Sequence, residues 1–368
     1  MRRWRRVLGN AATVLASTLF AILLLEAALR FLPVAWAPPV QPPTADNPIQ
    51  RYAANASYTW SLGWDFYAVV HGRTNAQGFV ANYDYDAKAT APLVAVVGDS
   101  FVEALQVPFA ESLTGRLQAG LRERGRAYAF AQSGSPLSQY IAYVEHAAAT
   151  YRPQKVVVVV VENDFDESLY AHRKRDGIYH LYSQPGGGFE LRLTPLPEPG
   201  LLERLLRRSA LALYLVRNVG VTNLAQWLAP KAAQATEMSA TTDMPHPAHI
   251  AEGEQVIAWF LGALPKAAAL APADIVIAVD AIRPLLDESP ALTTAHGSYF
   301  GQLRTRLIRN AKAQGFQVID LDAAFRAAYR ADRVPLEFRT DRHWNSHAHA
   351  VVASAVIEAL RGWPPFAR

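Results

Sequence analysis

Ser100 closes the run Val96-Val97-Gly98-Asp99-Ser100, and Asp341-Arg342-His343 lies near the other end of the chain. A serine hydroxyl, an imidazole and a carboxylate are the parts of a proton relay. The imidazole takes the hydroxyl proton, and the carboxylate orients the imidazole. The serine oxygen can then attack a carbonyl carbon and carry the acyl group. Two further positions suit the negative oxygen that such an attack creates. Gly134, in Gln132-Ser133-Gly134-Ser135, lacks a Cβ, so its N–H can approach an oxyanion closely. Asn163, in Val161-Glu162-Asn163-Asp164, can aim a side-chain N–H at the same point. Each short segment also has a plain reading: a serine N-cap, a glycine turn, an Asn-Asp turn, a solvated Asp with a capping His.

The surrounding pattern says how these residues are positioned. From about residue 90, short β-rich runs alternate with helical stretches. Leu93–Val97, Tyr128–Gln132, the consecutive valines Val156–Val161, Ile275–Val279 and Phe316–Ile319 form a set of five strand candidates. Continuous apolar, β-branched runs suit strands buried on both faces. Between the first two runs, Leu113, Leu117 and Leu121 recur at helical spacing and Gly125 can close the helix. The alternation predicts an α/β fold with a parallel sheet covered by helices. Ser100 follows the first strand directly, and the C-terminal ends of strands are where open α/β sheets place ligands. Ser346–Leu360 is the expected last helix.

The four segments, in this order and context, resemble the SGNH hydrolases, also called the GDSL family. Gly98-Asp99-Ser100 is similar to the first block, Gly134 to the second, Asn163 to the third, and Asp341 with His343 to the last. The resemblance implies a flavodoxin-like three-layer sandwich with a five-stranded parallel sheet. It also implies roles: Ser100 as nucleophile, His343 as general base and then acid, and Asp341 as its orienting group. The N–H groups of Ser100 and Gly134, with the Asn163 side chain, would form the oxyanion hole, and Asp99 would stabilise the turn. Two departures stand out. Only Arg342 separates Asp341 from His343, where the family usually has two residues; this spacing, followed by Trp344-Asn345, resembles the subset related to polysaccharide O-acetyltransferases. Val161 stands where the third block usually has glycine, and Glu162 follows it. Strand alternation would send Glu162 and Asn163 to opposite faces, so Glu162 is expected to point away from the oxyanion site.

Four arginines, Arg2, Arg3, Arg5 and Arg6, precede an uncharged and mostly apolar stretch from Val7 to Leu25. Such a stretch nearly matches a hydrocarbon core of ~30 Å. The arginines read as cytoplasmic by the positive-inside rule. Glu26 and Arg30 can pair at the far interface, and Pro33, Pro38, Pro39, Pro42 and Pro43 end the helix. A retained signal anchor is the preferred reading. A cleaved signal peptide, with Ala35-Trp36-Ala37 as its site, and a buried core helix are the alternatives. The organisation expected is residues 1–32 as basic tail and transmembrane anchor, 33–90 as a Pro-rich spacer and irregular lead-in, and 91–368 as the catalytic domain. An insertion at about 165–270 should hold a hairpin (Ile178–Tyr182 with Phe189–Leu193), an amphipathic helix over Leu201–Arg217, a loop over Met238–His249 and a helix over Glu252–Leu264.

The chain of 368 residues is 51% hydrophobic and 18% charged, enough for a large core. Its net charge of +4 equals the contribution of the four N-terminal arginines, so nucleic acid is not an expected partner. The absence of cysteine excludes disulfides, thiolate metal sites and a cysteine nucleophile. No cofactor or metal is called for; His347 and His349 near His343 read as residues of the last helix. The function expected is therefore a serine-dependent acyl-ester hydrolase, anchored in a bacterial inner membrane with its catalytic domain on the periplasmic side. An acylated glycan or a small ester would be the substrate. A polysaccharide O-acetyltransferase using the same acyl-serine intermediate, or a non-catalytic membrane-anchored binding or assembly protein, are the alternatives.

Overall fold

The computed structural model describes residues 2–44, 47–221, 246–282 and 295–366. Helix α1 (Arg2–Leu29) comes first, followed by a short ladder of β1 (Val40–Gln41) with β2 (Arg51–Tyr52) and a hairpin of β3 (Ser57–Leu62) with β4 (Ala68–Arg73). The lead-in is therefore ordered rather than irregular. Ser57–Leu62 gives little alternation signal because its buried residues, Tyr58 and Ser61, are three apart and fall on opposite faces.

Five strands form the central sheet: β5 (Leu93–Gly98), β6 (Arg126–Ala131), β7 (Lys155–Val160), β10 (Ile275–Val279) and β11 (Gln317–Asp320). All pair in parallel, in the spatial order β11-β10-β7-β5-β6. Numbered along the chain, that is 2-1-3-4-5, the flavodoxin-like order whose switch point lies between the first and third strands. The parallel sheet covered by helices that the alternation predicts is present, and its five strands and two helical layers match the sandwich that the resemblance implies. Alternate residues feed two cores. Leu93, Ala95, Val97, Val156, Val158 and Val160 face α4 (Leu137–Tyr151), α7 (Pro247–Ala268) and α8 (Tyr299–Ala313). Val94, Val96, Val157 and Val159 face α2 (Ser100–Glu103), α3 (Leu113–Leu121), α9 (Leu321–Asp332) and α10 (Ser346–Ala359). Both faces are dry, which is why the strands read as unbroken apolar runs.

β6 is an edge strand, and the lead-in covers it. The Tyr83 hydroxyl donates to the Ala127 carbonyl, and the Tyr85 hydroxyl lies 3.0 Å from both the N–H and the carbonyl of Ala129. Main-chain groups that would template another strand are thereby satisfied.

Between β7 and β10 lies the insertion. It carries the hairpin β8 (Tyr179–Ser183) with β9 (Phe189–Leu193), one residue from the expected boundary at its start. The single amphipathic helix expected over Leu201–Arg217 is instead α5 (Leu201–Leu206), α6 (Ala210–Leu213) and a π-helical turn at Tyr214–Val219. The break falls at Ser209, whose Oγ accepts from the Ala212 N–H at 3.1 Å and so starts a new helix. The loop expected over Met238–His249 lies largely outside the described residues, and its end, from Pro247, belongs to α7.

Candidate active site

Three turns at the C-terminal ends of β5, β6 and β7 meet a hairpin from the C-terminal region, β12 (Glu337–Phe338) with β13 (Asp341–Trp344). The first turn is made by Gly98-Asp99-Ser100. A Cβ on Gly98 would come 2.4 Å from Val102 Cγ2, so only glycine lets the strand pass so close to α2. Asp99 caps α2, its Oδ1 accepting from the Phe101 N–H at 3.0 Å. Burial pushes the Asp99 carboxyl up. Ser100 is the first residue of the helix, where backbone N–H groups have no intrahelical acceptor.

Ser100 Oγ lies 2.8 Å from His343 Nε2 and 3.2 Å from Asp99 Oδ2. On the other side of the imidazole, Asp341 Oδ1 is 2.5 Å from His343 Nδ1 and accepts the His343 backbone N–H at 3.1 Å. A carboxylate at Nδ1 holds the proton there and leaves the Nε2 lone pair facing the serine. Asp341 thus fixes both the tautomer and the backbone of the residue it orients.

The next residue anchors this hairpin. Trp344 is fully buried, and its Nε1–H donates to Asp280 Oδ1 at 3.2 Å. The Phe101 ring sits between the His343 ring (centroids 4.9 Å apart) and the Trp344 ring (5.2 Å). Asn345 caps α10, accepting from His347 and Ala348 N–H groups at 3.0 and 3.1 Å. His349 is buried, accepts the Leu113 N–H at 3.2 Å and is pushed down to about 3 by burial; His347 faces Asp332. These two histidines serve the helix and do not join His343.

Gly134 adopts φ +72°, a left-handed conformation that favours glycine. The Arg175 guanidinium lies against its Cα, so that a Cβ would meet Nη1 at 1.7 Å. The neighbouring Ser133 donates through both its N–H (3.1 Å) and its hydroxyl to Glu103 Oε2. Glu103 is buried on the helix that begins with Ser100, and burial pushes its carboxyl up to about 7. It ties the helix that begins at Ser100 to the loop of Gly134.

The third turn leaves β7 at Val160. Asp164 Oδ2 accepts the Val161 N–H at 2.8 Å and its Oδ1 accepts the Tyr140 hydroxyl at 2.9 Å, which folds the chain at once. Strand alternation therefore stops before Glu162, and Glu162 lines the same cavity as Asn163 instead of pointing to the opposite face. Its charge is met by Arg342, with Nη1 3.0 Å from Oε1. Asn163 Nδ2 donates to Glu167 Oε2 at 3.0 Å through one of its two hydrogens, leaving the other for an oxyanion.

Ser100, Gly134, Asn163, Asp341 and His343 line one cavity of about 300 Å³. All five residues singled out in the sequence are brought together. The sequence reading missed Arg173, which lines the same cavity from the insertion, and Arg175, Glu103 and Asp280, which support it. The run Arg173-Lys174-Arg175 was the one visible signal for the first two. Among the described residues, one group with metal-ligating spacing occurs, His172, His249 and Glu252, exposed on the insertion and separate from this cavity.

No protein-family model matches the chain, and no curated protein matches it. Solved structures do. An acetyl xylan esterase is 14% identical, with a TM-score of 0.42, over 73% of this chain and 99% of the other. A member of the lipolytic G-D-S-L family from Veillonella parvula is 13% identical, with a TM-score of 0.36, over 73% and 97%. A lipase/acylhydrolase from Enterococcus faecalis is 10% identical, with a TM-score of 0.37, over 74% and 96%. At these scores the likenesses carry no weight for the chemistry, which the side-chain geometry alone supports.

Proposed function

We propose that this protein is a serine-dependent acyl-ester hydrolase of the SGNH type, tethered to a membrane and acting outside the cytoplasm on an acylated glycan. The observation that carries the chemistry is the unbroken path from Asp341 through His343 to Ser100, with contacts of 2.5 and 2.8 Å. His343 Nε2 takes the Ser100 proton as Oγ bonds to the ester carbonyl carbon. The carbonyl oxygen becomes negative and faces the N–H groups of Ser100, Gly134 and Asn163. When the C–O bond breaks, His343 returns the proton to the departing alkoxide and an acyl-serine remains. Water, deprotonated by the same imidazole, attacks it, releasing the acid and restoring Ser100.

The tether rests on α1. Within its segment Arg6–Leu29 an 18-residue window has a mean hydropathy of 2.1, and only 6% of that window is buried within the protein. An apolar helix left bare is at home in lipid. With the arginines on the cytoplasmic side, the catalytic domain stands outside. The glycan preference follows from the Asp-Arg-His-Trp-Asn segment at 341–345 and its resemblance to the polysaccharide-modifying subset.

The test uses the full chain in detergent. Wild type should hydrolyse p-nitrophenyl acetate, react with a fluorophosphonate and release acetate from an acetylated glycan. Ser100→Ala should do none of these while keeping its thermal transition. A wild type inert to both small probes, or an active Ser100→Ala, would sink the hydrolase reading. Acetate appearing on an added glycan, and not in solution, would identify a transferase instead.

A further inference from the structure

We propose that α5 and the turn after α6 lie on the outer surface of the membrane that α1 spans, and that the groove beside them takes the headgroup of an anionic phospholipid. The proposal rests on the reading of α1 as membrane-spanning and adds a second contact with the same bilayer.

The first observation is an apolar face that no described residue covers. Leu201, Leu202, Leu205 and Leu206 of α5 are between 50% and 71% exposed. Spaced i, i+1, i+4 and i+5, they share one side of the helix. Leu215, Val216 and Val219 repeat this spacing in the π-helical turn and are also exposed. Such a surface is costly in water and is matched by the acyl boundary of a bilayer. Arg204, Arg207 and Arg208 punctuate the same stretch, the pairing of leucine face and cationic side that interfacial helices carry.

The second observation fixes where this face sits. α1 ends at Leu29, and its last turns are bound to the start of α6. Glu26 accepts the Ser209 hydroxyl at 2.8 Å and the N–H groups of Ala210 and Leu211 at 3.1 and 2.9 Å. The helix end that leaves the bilayer is therefore hydrogen-bonded to the segment that joins α5 to α6. Phe31, just beyond, is 90% exposed and adds a bare aromatic ring where α1 ends.

The third observation concerns charge. A groove of about 500 Å³ opens at this junction, and both apolar residues (Leu29, Leu32 and Leu213) and cationic ones (Arg30, Arg207 and Arg208) line it. Arg30 is paired with Glu26 and Arg207 with Glu203. No hydrogen bond or ion pair to the Arg208 guanidinium occurs among the described residues. Apolar and cationic side chains lining one groove, where a spanning helix emerges, fit a lipid phosphate and the start of its acyl chains. The consequence for function is a catalytic cavity held at a set orientation to the membrane, since one hydrogen-bonded junction joins the anchor to the insertion that supplies Arg173.

The absence of native cysteine allows a single nitroxide label at Leu205→Cys, compared with one at Ser183→Cys on the exposed β8 end. The full chain is placed in nanodiscs of phosphatidylcholine with or without phosphatidylglycerol. The Leu205 label should collide more with oxygen than with a water-soluble nickel complex, and the Ser183 label the reverse. Native mass spectrometry of the released chain should show phosphatidylglycerol retained over phosphatidylcholine. Arg207→Gln and Arg208→Gln should each cut that preference about fivefold. A Leu205 label as wet as the Ser183 label, or a lipid preference absent in wild type or unchanged in both variants, overturns the proposal while leaving the hydrolase reading intact. A chain that never enters the nanodisc overturns the tether itself, and this proposal with it.

Discussion

Arg342 reaches from the strand that carries His343 to Glu162, beside Asn163, with Nη1 3.0 Å from Oε1 and Nη2 3.1 Å from Oε2. The single residue between Asp341 and His343 thus bridges the proposed relay to the proposed oxyanion loop. It also neutralises a carboxylate in the cavity where the proposed mechanism places a transient negative charge. The pair is partly exposed, with side-chain accessibilities of 48% and 27%, so its effect on stability should be small.

Removing Arg342 alone should therefore hurt turnover more than folding. Arg342→Gln is expected to lower kcat by about tenfold, the scale of one unfavourable charge near an oxyanion. Thermal stability should change by less than about 1 kcal/mol. Glu162→Gln in the same chain should restore most of the lost rate, because the offending charge is gone. Steady-state kinetics on the four members of this double-mutant cycle decides the matter. Additive losses in the double variant would mean that Arg342 acts by some route other than charge compensation.

Asp341→Asn should be worse than either. The carboxylate holds the proton on His343 Nδ1 and also binds the His343 backbone N–H. An amide can present its N–H to Nδ1 and so favour the opposite tautomer, with the proton on Nε2 against Ser100. A fall in kcat of about 10²–10⁴-fold is expected, with KM little changed. Single-turnover acylation by p-nitrophenyl acetate isolates the affected step. Retention of wild-type acylation would remove Asp341 from the relay.

The parts of this site that could be read from the sequence are those fixed by local rules. Val156–Val161 announced a strand dry on both sides, and the residues that follow β5, β6 and β7 fall at the sheet's ligand-binding end by topology alone. The parts that escaped depend on meetings between distant segments. Arg175 matters because a loop of the insertion returns to Gly134, and Asp280 because Trp344 folds back over β10. Glu162 was misplaced for a local reason. Its expected direction assumed that β7 ran on through Asn163, whereas Asp164 takes the Val161 N–H and ends the strand first.

Gly134 offers a test of the oxyanion loop. With φ at +72° and the Arg175 guanidinium in the Cβ position, alanine is disfavoured twice. The flexible arginine can swing aside, so the lasting cost is the backbone strain, about 1 kcal/mol. Relief of that strain would tilt the Gly134 N–H away from the substrate. Gly134→Ala should then lose about 10²-fold in kcat for roughly 1 kcal/mol of stability. Chemical denaturation and kinetics on the same preparation separate the two. Loss of activity only in step with unfolding would leave Gly134 a turn residue.

Glu103 predicts a pH dependence of folding. Its carboxyl, normally near 4.5, is pushed up to about 7 by burial beneath the oxyanion loop. As pH rises past 4.5 the unfolded chain gives up this proton, while the folded chain keeps it until about 7. Across that window the native state binds more protons, so stability must fall with rising pH. The loss is complete above about 7 and on the order of 3 kcal/mol. Glu103→Gln removes the ionisation and keeps an oxygen for Ser133. The variant should match wild type near about pH 5 and be the more stable of the two near about pH 8. Urea midpoints measured at both values give the comparison. Parallel curves would show that Glu103 is already ionised in the native protein. In that case the two Ser133 donors, which lower its pKa, would outweigh burial.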